Sequence, residues 1–195
     1  CALPIFGICV FWGAATVGSL TTVGYHPFDD SISEIAAREA NRAPLMIGGF
    51  ILLAIAIAAL ARMLSLDTTA AGDERLVPRI LLGAAVAALG AAVFRCEYDC
   101  PSMFKGDLMN FIHGVFLLAC YLALLAAMLL TWRALRDKPR ERIWRTITLV
   151  AIVITVPLMI ATGVMLPDTE FVGLTERLFL LAETGWLALA ALRLA

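Results

Sequence analysis

The sequence predicts an all-α, polytopic membrane protein. Six apolar stretches follow one another along the chain, five of them without an internal run of charge and the sixth carrying Glu183 near its middle. Each runs for about 20 residues, the length that a helix needs to cross a hydrocarbon core of roughly 30 Å. The composition agrees, because 62% hydrophobic residues and a mean hydropathy of +0.90 exceed what a water-soluble fold of this size could bury. Strands are not expected, since a membrane barrel needs short alternating segments rather than continuous Leu/Ala/Ile-rich runs.

The apolar stretches place the helices in order. The first contains the small pair Ala14 and Gly18, the third has glycines along one face, and Pro157 should kink the fifth. Together they form a single six-helix transmembrane domain over residues 1–195, with spans at 2–23, 44–64, 77–95, 107–132, 144–166 and 173–194.

The loop after the first span contains a start signal for a short helix. Ser31 is followed three residues later by Glu34, the spacing of a capping box. Ile32, Ile35 and Ala36 would then share one face. We therefore expect a short amphipathic helix that lies on the membrane surface or folds down over the bundle. Glu34 has two interpretations, a helix cap or a member of a site.

The basic residues predict the orientation of the chain. Ten of the fifteen belong to the loops at 64–76 and 133–145, to the helix ends beside them, or to the C-terminus. Because positive charge is retained in the cytoplasm, both termini should be cytoplasmic and the loops at 24–43, 96–106 and 167–172 extracytoplasmic. The predicted location is the inner (plasma) membrane.

Polar residues inside the spans suggest a site that opens to the extracytoplasmic side. Asp107, Asn110 and His113 are spaced by three residues and line one flank of the fourth span. Glu176 and Glu183 are seven apart and share a face of the sixth. A carboxyl group at mid-bilayer costs roughly 2.5 kcal/mol or more, so Glu183 marks either a functional group or a neutral donor to a neighbouring helix.

The cysteines divide by their surroundings. Cys9 and Cys120 lie within spans and are interpreted as packing residues. Cys96 and Cys100 lie in an extracytoplasmic loop, where disulfides persist, and a bond between them is the first interpretation. A metal pair is the alternative, although a lone C-x3-C motif without a matching ligand pair is a weak zinc signal.

Three motifs resemble the domain-of-unknown-function 998 (DUF998) family of membrane proteins. The first is Ser33-Glu34 in its Pro-containing loop, with Ile35 where leucine is usual. The others are Phe94 to Pro101 followed by His113-Gly114, and Gly173-Leu174-Thr175-Glu176-Arg177 at the start of the last span. The resemblance implies six spans and a polar cluster on the extracytoplasmic side, with a looser likeness to DRAM-type lipid-associated proteins. It implies no established activity.

Three functions are compatible with the sequence. The first is a lipid-binding protein or an accessory subunit of a membrane complex, in which Ser33, Glu34, His113, Glu176 and Arg177 form a polar pocket for a lipid head group. The second is a lipid hydrolase or transferase with His113 as general base, Asp107 or Glu34 orienting it, and Arg177 on the phosphate. The third is a proton-coupled carrier that uses Glu183.

Several chemistries lack their residues. No nucleophile elbow, phosphate loop or H-E-x-x-H motif is present, and no folded basic surface could bind nucleic acid. We expect membrane lipids and other membrane subunits as partners, and no cofactor. Two cofactor sites stay compatible with the sequence: a metal held by His113, Glu34 and Asp107, and a haem held between His26 and His113.

Overall fold

A computed structural model describes residues 2–66, 75–97, 100–101, 103–165 and 171–194. All regular structure in these residues is helical, which confirms the all-α prediction. The described residues form seven α-helices: α1 (Ala2–Thr21), α2 (Ile32–Ile35), α3 (Ala43–Ser65), α4 (Val77–Val93), α5 (Leu108–Ala134), α6 (Arg142–Ile160) and α7 (Val172–Arg193). A 3-10 turn at Pro139–Glu141 precedes α6, and a π-helical segment at Ala161–Met165 follows it.

The long helices support a polytopic membrane protein. Within the described residues, four segments are long and apolar enough to cross a membrane: α1, α3, α5, and α6 with its flanking turns. The apolar helix α4 has 17 residues, or about 26 Å at 1.5 Å per residue. Helix α7 carries Glu176, Arg177 and Glu183, which reduce its apolar character. The six predicted spans correspond to six long helices, and the number of membrane crossings stays a prediction.

Each long helix packs against the next one along the chain, and α7 returns to α1 and α3. Small residues bring α1 and α3 close together. A Cβ at Gly7 would lie against Leu52 O and 2.8 Å from the Ala56 Cβ, and one at Gly49 would lie 3.0 Å from the Ala14 Cβ. This close approach is typical of membrane helices, where packing rather than water exclusion holds the interface together.

The short helix α2 is inserted into one end of this bundle, called the α2 end below. Ile32 and Ile35 have no exposed surface, and Ala36 is buried beside them. Gly18 of α1 makes room for α2, since a Cβ there would lie 2.5 Å from Ile35 Cγ2. The predicted apolar face is therefore confirmed, and it is directed into the bundle.

Basic side chains connect the helices at the end of the bundle opposite to the α2 end. Arg193, in the last turn of α7, pairs with Glu141 at 3.0 Å and lies over the Trp144 ring, 5.6 Å from its centroid. Arg145 Nη1 donates to Arg136 O at 2.9 Å. These contacts join the start of α6 to the end of α7 and to the residues that follow α5.

Candidate functional site

Polar contacts hold the segment before α2 on the first turns of α7. Glu176 is buried, and its Oε2 accepts a 2.6 Å hydrogen bond from the backbone N–H of Ile32. The Leu174 N–H donates to Phe28 O at 2.9 Å. Because Ile32 is the first residue of α2, Glu176 satisfies a donor that has no partner within that helix.

Arg177 is enclosed by the same segment. Its Nη1 donates to Asp30 O at 3.0 Å, and its Nη2 donates to the Tyr25 hydroxyl and to Ser19 Oγ at 3.3 Å. Burial raises the pKa of the Tyr25 phenol to about 12, although the Arg177 charge beside it acts in the opposite direction. Arg177 therefore uses its donors on the protein itself.

Ser33 and Glu34 both belong to α2. The Glu34 carboxylate accepts from the Ser31 N–H at 2.8 Å, which is its part of the predicted capping box. Ser33 is buried, and its carbonyl oxygen lies 3.6 Å from the Cys96 sulfur. Through that contact α2 also packs against Cys96, in the segment that follows α4.

Cys96 and Cys100 form the predicted disulfide, with their Cα atoms 5.1 Å apart. His113 lies beside it, since one ring nitrogen is within 4.8 Å of both sulfurs. The His113 Nδ1 faces Phe94 O at 2.7 Å and Ala91 O at 3.0 Å. The same ring has no polar partner at Nε2 among the described residues, although His113 is only 4% exposed.

Asp107 is the N-cap of α5, because its side chain accepts from the Asn110 N–H at 2.8 Å. Arg38 donates to it at 2.7 Å, and its own N–H donates to Glu97 Oε1 at 2.6 Å. The Asn110 N–H, followed by Arg38, holds the pKa of Asp107 below its ordinary value. This group ties the start of α5 to the residues after α2.

The residues of the predicted polar pocket are thus divided between two sides of α2. Glu176 and Arg177 lie on the α7 side, whereas His113 lies on the Cys96 side, and Ser33 and Glu34 are in α2 itself. His113 Nδ1 is oriented by backbone carbonyls. Glu34 and Asp107 serve as helix caps, so the catalytic arrangement proposed for His113 receives no support from these contacts. Ligand binding by the five residues stays a prediction.

Glu183 faces the interior of the bundle with no exposed surface. Both carboxyl oxygens lack a hydrogen-bond partner among the described residues, which differs from the expected bond to a neighbouring helix. A cavity of about 20 Å³ adjoins it, lined by apolar side chains with Cys120, Tyr121 and Thr184. That volume is enough for about one water molecule.

Sequence analysis missed Tyr25, Arg38 and Ser19 as partners of the polar residues. Their partners are distant in sequence: Tyr25 and Ser19 meet Arg177, and Arg38 meets Asp107. In the sequence, the one feature that pointed to Tyr25 and Arg38 as partners was their position in a loop on the predicted extracytoplasmic side.

A family model described as "Protein of unknown function (DUF998)" matches residues 5–193 of the chain. No match was found among curated proteins or among solved structures. The match spans all seven α-helices apart from a few terminal residues. The chain is therefore a member of the DUF998 family.

Proposed function

We propose that the protein is a non-catalytic, lipid-binding membrane protein whose lipid lies in a groove between α1 and α3. The observation that carries the proposal is the shape of this surface. A groove of about 440 Å³ opens there, lined by Val10, Gly13, Ala14, Val17, Pro44, Leu45, Gly48, Gly49 and Leu52. An acyl chain lying along this shallow, open groove would contact two helices instead of one, which adds dispersion contacts.

A head group can be bound at the α2 end of the groove. Arg42 is exposed at the N-cap of α3, two residues before the groove-lining Pro44. Its planar guanidinium suits a phosphate, with which it forms bidentate hydrogen bonds. Outward-facing apolar surfaces of membrane proteins contact lipid in general, so an apolar groove alone does not select one lipid. The groove together with a nearby cation would select an anionic phospholipid.

The test fills the groove without disturbing the fold. Nothing lies within 4 Å of a Cβ at Gly48, so Gly48→Leu adds bulk to the groove alone. Gly83 of α4 is equally open and lies outside the groove, which makes Gly83→Leu the matched control. Native mass spectrometry of protein released from mild detergent should show a bound phospholipid on the wild type and on Gly83→Leu, but not on Gly48→Leu.

Arg42→Gln should keep the lipid while removing the preference for anionic head groups. Equal lipid retention by Gly48→Leu and Gly83→Leu would overturn the proposal. A co-purifying protein that Gly48→Leu alone releases would instead assign the groove to another subunit, and the accessory-subunit hypothesis would replace the lipid one.

A proton-coupled carrier is a second candidate, favoured by Glu183 alone. Its carboxyl group has no hydrogen-bond partner among the described residues and lies beside a water-sized cavity, so it could bind and release a proton inside the bundle. Proteoliposomes that enclose a pH-sensitive dye test this function. Proton entry that depends on the wild-type residue and is lost in Glu183→Gln supports it, whereas equal fluxes through both proteins refute it.

A further inference from the structure

The segment after α4 and the first turns of α5 bring three potential metal ligands together. One ligand atom each from Cys96, Cys100 and His113 lies within 4.8 Å of the other two. In a mononuclear site with Zn–S near 2.3 Å and Zn–N near 2.0 Å, neighbouring ligand atoms are roughly 3.5–4 Å apart. Once the S–S bond of about 2 Å is broken, the sulfurs must separate by roughly 1.5–2 Å, and the His113 nitrogen must approach them by at most about 1 Å, to form a coordination sphere.

The hydrogen bonds of His113 leave its second nitrogen ready for a ligand. Its Nδ1 faces two carbonyl oxygens, which accept hydrogen bonds and cannot donate them. Nδ1 therefore carries the hydrogen, and Nε2 keeps its lone pair. That atom is buried and has no polar partner among residues that the structure describes. Metal-binding histidines commonly donate their other N–H to a carbonyl in this way.

The same short segment supplies both the ligand and the support for the ring. Phe94, whose carbonyl oxygen accepts from His113, is two residues before Cys96. The Cys96 carbonyl oxygen in turn accepts from the Arg38 N–H at 3.1 Å, which ties the segment to the residues after α2. The ring and the sulfur are thus held in a fixed relation, as a preformed site requires.

We propose that Cys96, Cys100 and His113 form a redox-gated site for a thiophilic d10 cation, Zn²⁺ or Cu⁺. With the disulfide formed, the sulfurs are not thiolates and the site is closed to metal. When the disulfide is reduced, two thiolates and one imidazole become available, a donor set that suits both cations. Cu⁺ can be satisfied by three ligands, whereas Zn²⁺ would keep one position for water.

The reductant in this cycle is a dithiol. Its thiolate attacks the partly exposed Cys100 sulfur, the S–S bond breaks, and the buried Cys96 leaves as a thiolate. The second thiol of the reductant then attacks the mixed disulfide and releases Cys100, so the reductant leaves as a cyclic disulfide and two electrons pass to the protein. Cation binding displaces the protons of the two thiols. In the thiol form, Cys96 S–H can donate to Ser33 O, at 3.6 Å.

The experiment isolates the cysteine pair. Serine replacements of Cys1, Cys9 and Cys120 leave a parent variant in which Cys96 and Cys100 are the remaining thiols. This parent, reduced with a phosphine, is titrated separately with Zn²⁺ and with Cu⁺ against a competing chelator. One equivalent of metal per chain is expected after reduction, and none before it.

His113→Gln in this parent should weaken metal affinity by more than about 10-fold, since loss of an outer-shell partner alone costs about 10–100-fold. The matched variant His26→Gln should bind as the parent does. X-ray absorption of the Zn²⁺-loaded parent provides a second measurement that needs no histidine variant. It should show two sulfur ligands and the scattering of one imidazole ring. Absence of binding by the reduced parent, unchanged affinity in His113→Gln, or a spectrum without imidazole would each overturn the proposal and leave a structural disulfide.

Discussion

Gly173→Ala tests whether the segment before α2 is clamped against α7. A Cβ at position 173 would lie against Asp30 O and 2.8 Å from Pro27 O. Both neighbours are backbone atoms, which cannot rotate away as the end of a side chain can. The substitution must therefore move either the loop or the first turn of α7.

The magnitude follows from the contacts that would be disturbed. Overpacking at a close contact costs about 1–3 kcal/mol. The hydrogen bonds from Leu174 N to Phe28 O and from Arg177 to Asp30 O contribute about 1 kcal/mol each if they are lost. Alanine in a helix recovers about 0.5–1 kcal/mol relative to glycine. The net loss is about 2–4 kcal/mol in the free energy of unfolding, or roughly 4–16 °C in Tm for a chain of this size.

Thermal unfolding in detergent micelles measures this effect, and Gly185→Ala in the same helix is the control because nothing lies within 4 Å of its Cβ. The control should match or slightly exceed the wild type. Trypsin provides a local measurement, since release of the clamp should speed cleavage after the exposed Arg38. If Gly173→Ala is as stable and as resistant to trypsin as Gly185→Ala, the clamp does not contribute in the way described.

Three further predictions concern individual polar groups. Burial raises the pKa of Tyr25 to about 12, so its contribution to stability should be complete below about pH 10 and lost as the pH rises towards 12. In an ultraviolet titration, the Tyr25→Phe variant should lack the late step in which this tyrosine ionises. The pKa of Asp107 is lowered by the Asn110 N–H and by Arg38, so its contribution should be present above about pH 4 and lost as the pH falls through the lowered value. Acid unfolding of Asp107→Asn, which keeps a capping side chain without the charge, should lack that dependence, and an unchanged acid profile would contradict it. Glu183→Leu should unfold at a temperature equal to or above that of the wild type, because both carboxyl oxygens lack partners among the described residues. An unfolding temperature clearly below that of Glu183→Gln would contradict this and show that the cavity holds a bound species.

The helices could be predicted from the sequence because lipid imposes a simple rule on them. Each apolar run is long enough to satisfy its own backbone within one helix, so length and hydropathy suffice to place it. The short helix α2 could be predicted for a local reason as well, since Ser31 and Glu34 lie three residues apart and make their contact without the rest of the fold. Where α2 would lie was not predictable, because that depends on the space that Gly18 leaves in α1.

The polar contacts at the α2 end were only partly predictable. Arg177 is polar in an apolar setting, which marks it as unusual, but its partners Tyr25 and Ser19 are more than 150 residues away. Spacing along one helix cannot identify such partners. The Cys96–Cys100 bond was predictable because the loop between them is short, whereas the approach of His113 depends on how α5 packs against α4.

Glu176 and Glu183 show most clearly where sequence spacing stops being informative. They are seven residues apart on one buried stripe of α7, together with Leu180 and Leu187, and this spacing alone does not identify the partner of either acid. The fold separates them: Glu176 accepts a backbone hydrogen bond from α2, whereas Glu183 faces a water-sized cavity with neither oxygen satisfied by a described residue. Because an unsatisfied buried polar group costs stability, Glu176 is explained by the fold that it helps to hold together. The fold does not explain Glu183 in this way, so of these two acids it is Glu183 that calls for a functional explanation.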